Sequence, residues 1–492
     1  MSRIIIQNGN MCELDLPLKF AQKLYAEFAI RHPNAFYLRT RQRGMKNWDG
    51  KIHYINKHGE FKIGLLPAVY EKCTEYGIKP KVVDMRQPLP KVSKVVTKIG
   101  EYKLRPEQEK AVKAVINNKV GKVPFQIGVL DYTVNAGKTL IMSSLYLSYK
   151  KQLKTLLITN DSDWLNQARD EFKKYLPGEQ ITFVQGKVLN WSNFTIGMVQ
   201  SISRNMRFYQ NELAKVDMVL VDEADQAGSK QYQNVLTRLF NTRVRIGLSG
   251  TIYMSKLAKD KVKNMNLEVF FGKVLAEFKL KDSIKKGYST RTIVKMVPSK
   301  PWYGNWESEE VSYKEVYDDS ITFNKYARRM VYSRLKWNLK QGRYPALVVC
   351  KFIAHCENLC KYFKKKLGSK YNIACVHVDT PSKIRQQIMK DFREGKIDIL
   401  VSTTIIARGK NFPKLRYLLN AASMDSQEKS IQFLGRLVRT DSSKKKVYLD
   451  DLHYPGPYLN RHGKHRKQYY QKQELKVILL EKIWKNHPIH SL

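Results

Sequence analysis

Short, almost wholly apolar runs recur along the middle of the chain, and each precedes a longer segment with apolar residues at helical spacing. From residue 101 onward the runs occupy 125–130, 155–159, 194–199, 218–221 and 245–248, and later 346–350, 373–377, 397–402 and 417–421. Runs this apolar, separated by amphipathic helices, are typical of parallel strands buried on both faces. The pattern predicts an α/β protein with two successive parallel-sheet domains, at residues 101–275 and 276–450.

The first 90 residues follow a different pattern, which predicts a small α+β domain. Helical spacing of apolar residues indicates a helix over 18–30, and strand-like runs follow at 35–41 and 51–55. Asp49 and Gly50 between these runs are typical of a hairpin turn. Residues 85–100 contain two prolines and no clear periodicity, as a linker does. We therefore expect a chain that begins near Val92 to fold without this domain. Residues 451–492 are predicted to form a basic C-terminal helical segment.

The net charge points to a polyanionic partner. Lys and Arg number 88 against 44 Asp and Glu, a formal charge of +44. The excess is spread along the chain, because the first 100 residues hold 18 basic and 8 acidic residues and the last 41 hold 8 and 2. A distribution of this kind indicates a long track of phosphate contacts rather than a basic tail. Nucleic acid is the favoured partner, and an acidic membrane surface is the alternative.

Neither a leader nor a membrane span is expected from this sequence. Its first apolar run is too short for a signal peptide, and no stretch approaches the ~20 apolar residues that cross a bilayer. The six cysteines lack the spacing of a disulfide framework or a zinc site, so we expect reduced core residues. These features favour an intracellular protein.

A phosphate-binding loop is the first motif that carries chemistry. Ala136, Gly137, Lys138 and Thr139 follow a buried run and precede a helical one. In this context backbone amides at the helix start face the phosphates of ATP, the lysine reaches the β- and γ-phosphates, and the threonine hydroxyl holds Mg²⁺. Tyr132 stands where the first glycine of the general pattern falls.

The second motif is an apolar strand that runs directly into Asp222 and Glu223. Asp222 is a candidate ligand of Mg²⁺, and Glu223 a candidate base that orients and deprotonates the attacking water. An acidic turn after a strand is a common alternative for one carboxylate. The position of the Asp222–Glu223 pair after the phosphate-binding loop instead predicts hydrolysis of ATP, with Mg²⁺ as cofactor.

The third motif, QFLGRLVR, contains Gln432, Arg436 and Arg439 in a helical setting. The two arginines are three residues apart, so we expect them to share one helix face. An arginine that reaches a γ-phosphate across a domain cleft accelerates hydrolysis by ~10³–10⁵. A solvated basic helix face is the alternative when the motif stands alone.

Together these motifs make residues 101–450 resemble the superfamily 2 helicases, whose catalytic core consists of two tandem RecA-like domains. The resemblance implies further roles, namely nucleotide binding by Arg105, Gln108 and Gly409, nucleic-acid contact by Gln200 and Ser201, and coupling of hydrolysis to that contact by Asp225, Ser249 and Thr251.

The motifs also narrow the branch of the superfamily. Residues 249–251 read Ser-Gly-Thr, whereas RNA helicases of the DEAD-box branch usually have Ser-Ala-Thr there. The chain is closer to the recombination-helicase branch, which also carries an N-terminal segment similar to residues 46–52. That resemblance implies branched DNA as the substrate: forks, recombination junctions and R-loops, in the cytoplasm of a bacterial or phage-infected cell. A nucleic-acid-stimulated ATPase switch and an RNA-remodelling helicase remain as alternatives.

Two terminal regions are candidates for direct DNA contact. Trp48 is either the apolar anchor of a hairpin or a platform for an exposed base, with Arg43 and Lys46 beside it for phosphate contact. Near the C-terminus, basic residues alternate with aromatic ones, and they either grip a strand or form a solvated helix; they are Arg461, Lys464, Arg466 and Lys467.

Overall fold

The computed structural model describes residues 2–41, 45, 47–160, 162–252, 258–299, 311–407, 412–425, 427–440 and 444–480. The chain divides into two compact units, Met1–Phe278 and Lys279–Leu492. Each unit contains a seven-stranded sheet in which all of the paired strands run parallel. The predicted α/β class with two successive parallel sheets is confirmed.

The N-terminal part of the first unit contains a four-stranded sheet in the order β5-β2-β1-β6 and a separate two-stranded ribbon, β3-β4. The elements in chain order are β1 (Arg3–Ile6), β2 (Met11–Asp15), α1 (Leu18–Glu27), β3 (Ala29–Arg31), α2 (Ala35–Arg41), β4 (Lys51–His53), β5 (Glu60–Lys62), α3 (Leu66–Glu75) and β6 (Lys81–Asp84).

The expected strand over residues 35–41 is wrong, because these residues form helix α2. The sequence AFYLRTR suits a strand in composition, but no neighbouring strand accepts its backbone hydrogen bonds among the described residues. Helical bonds form instead, and the Leu38 amide donates to the Asn34 carbonyl at 3.0 Å. The strand β3 that pairs with β4 comes from residues that the sequence pattern assigned to the end of the first helix.

The first seven-stranded sheet has the order β13-β14-β12-β15-β16-β11-β17. The elements of this region are β7 (Lys98–Ile99), β8 (Tyr102–Lys103), α4 (Pro106–Ile116), β9 (Lys119–Val120), β10 (Val123–Pro124), β11 (Ile127–Tyr132), α5 (Lys138–Ser148), β12 (Thr155–Thr159), α6 (Ser162–Tyr175), β13 (Ile181–Val184), β14 (Phe194–Met198), α7 (Val199–Arg204), α8 (Met206–Ala214), β15 (Met218–Asp222), α9 (Lys230–Leu236), β16 (Val244–Ser249), α10 (Ala258–Phe271) and β17 (Val274–Phe278). The five strands predicted here match β11, β12, β14, β15 and β16 to within two residues.

The second sheet has the order β20-β21-β19-β22-β23-β18-β24. Its unit contains α11 (Leu280–Lys285), β18 (Arg291–Pro298), α12 (Tyr313–Tyr317), α13 (Lys325–Lys340), β19 (Ala346–Val349), α14 (Ile353–Leu367), β20 (Ile373–Val376), α15 (Ser382–Glu394), β21 (Ile399–Ser402), β22 (Tyr417–Asn420), α16 (Gln427–Leu437), β23 (Lys446–His453), α17 (Leu459–Lys472) and β24 (Lys476–Leu479). The C-terminal region is therefore not purely helical, since β24 pairs with β18 at the sheet edge.

The N-terminal sheet shares one apolar core with the first parallel sheet. Buried side chains of both belong to the same cluster, among them Ile4, Phe61 and Val69 together with Val129 and Val219. The backbones also meet closely, because a Cβ added at residue 64 would lie 2.2 Å from the Glu268 carbonyl oxygen. The sequence predicted a separable N-terminal domain. In the structure, residues 1–84 instead share an apolar core with the first parallel sheet and belong to the same compact unit.

A buried arginine fastens the N-terminal sheet to strand β16. The Arg245 side chain is fully buried, and its Nη2 donates to the Gly9 carbonyl at 2.8 Å and to Asn10 Oδ1 at 2.7 Å. Burial, with a smaller contribution from Arg86, lowers the pKa of Arg245 to about 9, which leaves the guanidinium protonated at neutral pH. The Gly9 amide in turn donates to the Phe240 carbonyl.

Two adjacent carboxylates of β23 organise a polar core in the second unit. Asp450 accepts hydrogen bonds from Arg334 Nε and the Tyr417 hydroxyl, both at 2.9 Å, and Asp451 accepts from Arg466 Nε at 2.9 Å. Arg466 lies on α17 and is fully buried. It is therefore neither a strand-gripping residue nor part of a solvated face, and both interpretations of that side chain are wrong.

All six cysteines carry free thiols, and five of them are buried. Among the helices in the described ranges, none combines the length and the hydrophobicity that a membrane span requires.

Candidate active site

The motif residues of the first unit lie along one edge of its sheet. The phosphate-binding loop follows β11, Asp222 ends β15, Ser249 ends β16, and Asn160 and Gln200 follow the ends of β12 and β14. These strands are neighbours in the sheet and run parallel, so their carboxyl ends share one edge. Residues far apart in sequence are thereby collected around the start of helix α5.

Helix α5 begins directly at the candidate lysine. Gly137 precedes it with a left-handed φ of 72°, and a Cβ at this position would lie 2.3 Å from Gln108 Nε2. Lys138 and Thr139 are the first two residues of the helix. The amides of a helix's first turn have no carbonyl partner within the helix, so this end attracts an anion such as a phosphate group.

Arg105 and Gln108 donate hydrogen bonds to backbone carbonyls of the phosphate-binding loop. Gln108 Nε2 donates to the Ala136 carbonyl at 2.8 Å, and its Oε1 accepts from the Arg105 amide at 2.9 Å. Arg105 Nη2 donates to the carbonyl of Asn135 at 3.0 Å. Both predicted nucleotide-binding residues therefore contact the loop itself, while their contact with an adenine ring stays a prediction.

A lysine and two carboxylates form the charged centre of the site. Lys138 Nζ lies 3.2 Å from Asp222 Oδ1 and 3.8 Å from Glu223 Oε1. Burial alone would lower the pKa of Lys138, but the two carboxylates outweigh it and hold the pKa above its ordinary value. Burial raises the pKa of Asp222, and Lys138 offsets this only in part. The ammonium therefore stays charged in the folded protein.

Glu223 has the backbone of a constrained functional residue. Its φ of 53° and ψ of 49° are left-handed, which costs a residue with a side chain about 1–3 kcal/mol. The side chain remains 35% exposed, whereas that of Asp222 is 3% exposed. The turn thus separates the two carboxylates, one buried beside the lysine and one open to incoming water.

The residues present fit a magnesium–nucleotide complex. Asp222 Oδ1 is buried, and Lys138 Nζ is its ion-pair partner at 3.2 Å, a partner that a bound phosphate would draw away. A carboxylate oxygen and the hydroxyl of Thr139, in the first turn of α5, are hard oxygen ligands of the kind that Mg²⁺ prefers. Asp222 and Thr139 would hold the ion, as the sequence motifs suggest.

The predicted coupling residues are hydrogen-bonded to one another. Ser249 Oγ donates to Asp225 Oδ1 at 2.7 Å and lies 3.0 Å from Thr251 Oγ1. Gly250 between them packs against the strand that leads into the phosphate-binding loop, since a Cβ there would lie 2.9 Å from Thr133 Cα. The structure brings all three residues together beside the charged centre, and their effect on hydrolysis stays a prediction.

A second chain of contacts runs from the acidic motif towards the predicted nucleic-acid contacts. Asn160 Nδ2 donates to Gln226 Oε1, and Gln200 Nε2 donates to the Asn160 carbonyl at 3.2 Å. Ser201 lies next along α7, where its hydroxyl accepts from the Gly186 amide. Neither Asn160 nor Gln226 is among the site residues that the sequence motifs predict. Their positions, directly after a buried strand and directly after the acidic motif, were the available signal.

The third motif is only partly described. Helix α16 ends at Leu437, so Arg436 lies in its last turn and Arg439 lies two residues beyond it. The expectation that both arginines share a helix face is wrong, and their action on the nucleotide stays a prediction. Gly409 and the side chain of Gln432 lie outside the described residues, as do the following two N-terminal candidates, Arg43 and Lys46.

Trp48 has the contacts of a hairpin anchor. Its Nε1 donates to the Lys51 carbonyl at 2.8 Å, and its ring meets His32 edge-on with 5.7 Å between the ring centroids. The ring is half-buried. Both contacts fix the indole within the N-terminal region. They agree with the role of hairpin anchor, one of the two roles that the sequence allowed for Trp48; base stacking was the other.

Two segments of the chain match models of known protein families. Residues 101–254 match the model described as "Type III restriction enzyme, res subunit", and residues 328–441 match the "Helicase conserved C-terminal domain". Both matches and the two parallel-sheet units make the chain similar to the superfamily 2 helicases, which are ATP-dependent enzymes built on two RecA-like domains.

Among curated proteins, the chain is 22% identical over 382 residues to "Putative helicase 22" of a Sulfolobus islandicus filamentous virus, a match that covers 72% of this chain and 65% of the relative. It is 20% identical over 289 residues to the "ATP-dependent RNA helicase DDX1" of Xenopus laevis, covering 54% of this chain and 38% of the relative. The chain thus spans less than two thirds of the length of these relatives.

Among solved structures, a fragment of a putative HsdR subunit of a type I restriction enzyme from Vibrio vulnificus matches with a TM-score of 0.57 and 14% identity, covering 93% of this chain and 81% of that one. The structure of T4 UvsW matches over 97% of this chain and 98% of its own, with 19% identity and a TM-score of 0.44.

Proposed function

We propose that this protein is an ATP-dependent DNA helicase or translocase that unwinds or remodels branched DNA, such as forks, recombination junctions and R-loops. The observation that carries the ATPase part is the cluster of Lys138, Asp222 and Glu223 at the start of helix α5. The branched-DNA part rests on the charge of +44 and on the motif residues that favour the recombination-helicase branch.

In the proposed reaction each residue of the cluster has one task. The first-turn amides of α5 and the Lys138 ammonium bind the β- and γ-phosphates, and Lys138 is released from Asp222 as they bind. Asp222 and Thr139 would hold the Mg²⁺, which would neutralise negative charge on the phosphates. Glu223, on its left-handed turn, orients the attacking water and takes its proton.

An RNA-remodelling helicase is the second candidate, because two of the matched relatives are named RNA helicases. The fold favours neither substrate. A yeast Dbp5 structure bound to RNA and an LlaBIII structure bound to DNA match with TM-scores of 0.53 and 0.56, respectively. The DNA proposal therefore depends on the motif residues and needs a direct test.

The test compares the ATPase rate at saturating fork, four-way junction, single-stranded DNA, linear duplex and RNA in one buffer, beside a strand-displacement assay. We expect forks and junctions to stimulate hydrolysis most, and branched substrates to be unwound or remodelled. Affinity should fall steeply with salt, with a slope of about −0.9 per neutralised phosphate on duplex DNA. RNA that matched the fork would move the chain to the RNA branch, and stimulation without displacement would indicate an ATPase switch.

A further inference from the structure

The ribbon β3-β4 and the segment 32–50 that connects its strands are not part of the N-terminal sheet. Its two strands pair only with each other among the described residues, and residues 32–50 connect them through helix α2. The base of the ribbon is fixed to the body of the unit. The Tyr54 hydroxyl donates to Asn266 Oδ1 of α10 at 3.1 Å, and the His53 ring stacks on Tyr25 with 4.1 Å between the centroids.

Helix α2 presents two aromatic rings to solvent. Ala35 faces inward and is 3% exposed, whereas Phe36 is 79% and Tyr37 52% exposed. Phe36 has the highest exposed fraction of the large hydrophobic side chains in the described residues. Single exposed apolar side chains are common on protein surfaces, but two adjacent aromatic rings on one short helix are a stronger sign of a contact surface.

The positive charge around these rings favours a nucleic-acid strand as the partner. No acidic residue occurs between Glu27 and Asp49, while Arg39 and Arg41 are exposed on α2 itself. The Arg41 guanidinium lies 4.6 Å from the centre of the Tyr37 ring, and its Nη1 donates to the Tyr37 hydroxyl at 2.9 Å. Aromatic rings beside uncompensated arginines suit bases and phosphates of an unpaired strand better than an apolar protein surface.

We propose that α2 is a base-stacking element of this helicase. Phe36 and Tyr37 stack on unpaired bases where a nucleic-acid duplex opens, and Arg39 and Arg41 bind the phosphates that flank them. This inference rests on the proposed function and gives the N-terminal region its part in it. The stacking role that the sequence considered for Trp48 falls instead to the exposed rings of α2.

The experiment replaces the Phe36 side chain in three ways in the full-length chain and measures affinity for a DNA fork. Phe36→Ala should weaken fork binding about tenfold, which is the scale of one lost base stack. Phe36→Trp should restore it, and Phe36→Leu should not, because leucine keeps an apolar side chain but has no π-face. The melting temperature should stay unchanged in all three, since the ring is mostly exposed.

Two further variants separate stacking from charge and from general surface effects. Arg39→Gln should reduce the slope of log affinity against log salt by about 0.7–0.9, whereas Phe36→Ala should leave that slope unchanged. Leu18→Ala removes another exposed apolar side chain of the same region, 72% exposed, and should bind the fork like the wild type. A parallel series with an RNA fork shows whether the stacked strand must be DNA.

Full fork affinity in Phe36→Ala would overturn the proposal. So would full affinity in Phe36→Leu, because an apolar side chain without a π-face would then suffice for fork binding. A different result would contradict the proposed function, namely that no nucleic acid stimulates the ATPase of the wild-type chain. If a saturating fork brings the wild type and Phe36→Ala to the same maximal ATPase rate, and only the fork affinity of Phe36→Ala falls, both proposals stand.

Discussion

Lys138 lies between two carboxylates that have different surroundings and therefore different tasks. Losing its ammonium leaves the buried Asp222 without compensation and, in the proposed reaction, removes the cation that binds the phosphates. Changing Glu223 to glutamine keeps the shape of the side chain and removes the proposed base. The two substitutions thus remove separate steps of one reaction, binding and proton transfer, although both act on the same cluster.

We predict that Lys138→Ala and Glu223→Gln both lower turnover, the second by about 10²–10⁴-fold, the usual contribution of a general base. Only Lys138→Ala should also weaken nucleotide binding, whereas Glu223→Gln should bind ATP like the wild type. Equilibrium titration with a fluorescent ATP analogue, beside steady-state ATPase rates, measures both effects. Equal nucleotide affinity in the two variants would contradict the assigned roles.

His355, in the second unit, is a buried group that titrates out of its ordinary range. It is 2% exposed, and its Nδ1 lies 3.0 Å from the Tyr317 hydroxyl. Burial lowers the pKa of His355 to about 3, and the nearby Asp318 raises it only slightly. The folded protein therefore keeps this imidazole neutral at pH values where the unfolded chain, with a pKa of about 6.5, takes up a proton.

We predict that this histidine makes the second unit less stable as pH falls. Between about 6.5 and 3 the unfolded state binds the extra proton, so the free energy of unfolding should fall by up to about 1.4 kcal/mol per pH unit. In His355→Gln this component disappears, so the stability deficit of the variant at pH 7.5 should shrink at pH 5. Urea unfolding at both pH values measures it, and a deficit that stays constant would refute the assignment.

At the scale of elements, the sequence pattern located the strands that form continuous apolar runs and missed five others of the two parallel sheets. Strands such as β12 and β15 are buried along their whole length and so form continuous apolar runs. β13, β17 and β24 lie at sheet edges and are partly exposed, while β18 and β23 contain charged residues such as Lys295 and Asp450. Hydrophobicity alone did not identify these five strands.

Some features of the candidate site could likewise be predicted from the sequence, and others could not. The roles suggested for Lys138 and Asp222 followed from local motifs, because a phosphate-binding loop needs fixed residue types at fixed spacing. The contact between Asn160 and Gln226 depends on β12 and β15 being neighbours, and the order of strands in a sheet is not written in any local pattern. The exposure of Phe36 depended on α2 being a helix, where the sequence favoured a strand.

We predict that Asn160 helps to transmit nucleic-acid binding to the hydrolysis site. Its side chain donates to Gln226 beside the acidic motif, and its carbonyl accepts from Gln200 in the first turn of α7. Asn160→Ala should therefore reduce DNA-stimulated kcat several-fold, while basal ATPase and nucleotide affinity change little.

The control is Asn241→Ala, which removes a side-chain bond to the Ala214 carbonyl elsewhere in the same unit. Stimulated kcat measured for both variants decides the matter. If Asn160→Ala is stimulated as strongly as this control, the chain of contacts does not couple the two sites.

On the scale of the whole molecule, the N-terminal sheet is part of the first unit rather than an appendage. We predict that a chain beginning near Val92 fails to form a stable first unit, in contrast to the sequence expectation. It would lose Ile4, Phe61 and Val69 from the shared core at about 1.5–3 kcal/mol each, and the polar partners of Arg245 as well. That loss is comparable with the 5–15 kcal/mol by which domains are usually stable.

Thermal unfolding and soluble yield of the truncated chain measure this effect. Residues 1–91 supplied as a separate polypeptide should restore part of the stability if the loss comes from the shared core. A truncated chain with the melting temperature of the full-length protein would show that the first parallel sheet stands alone.

The buried contact between Arg245 and the loop at Gly9 also limits how such proteins can be recombined. A chimera joined within residues 85–100 would combine the Gly9 loop of one parent with the β16 strand of another, and the two would have to match at positions 9, 10 and 245. A crossover between Phe278 and Lys279 keeps every one of these contacts within one parent. Gene shuffling, in nature or in the laboratory, should therefore preserve crossovers at that boundary and eliminate most of those in the proline-containing segment.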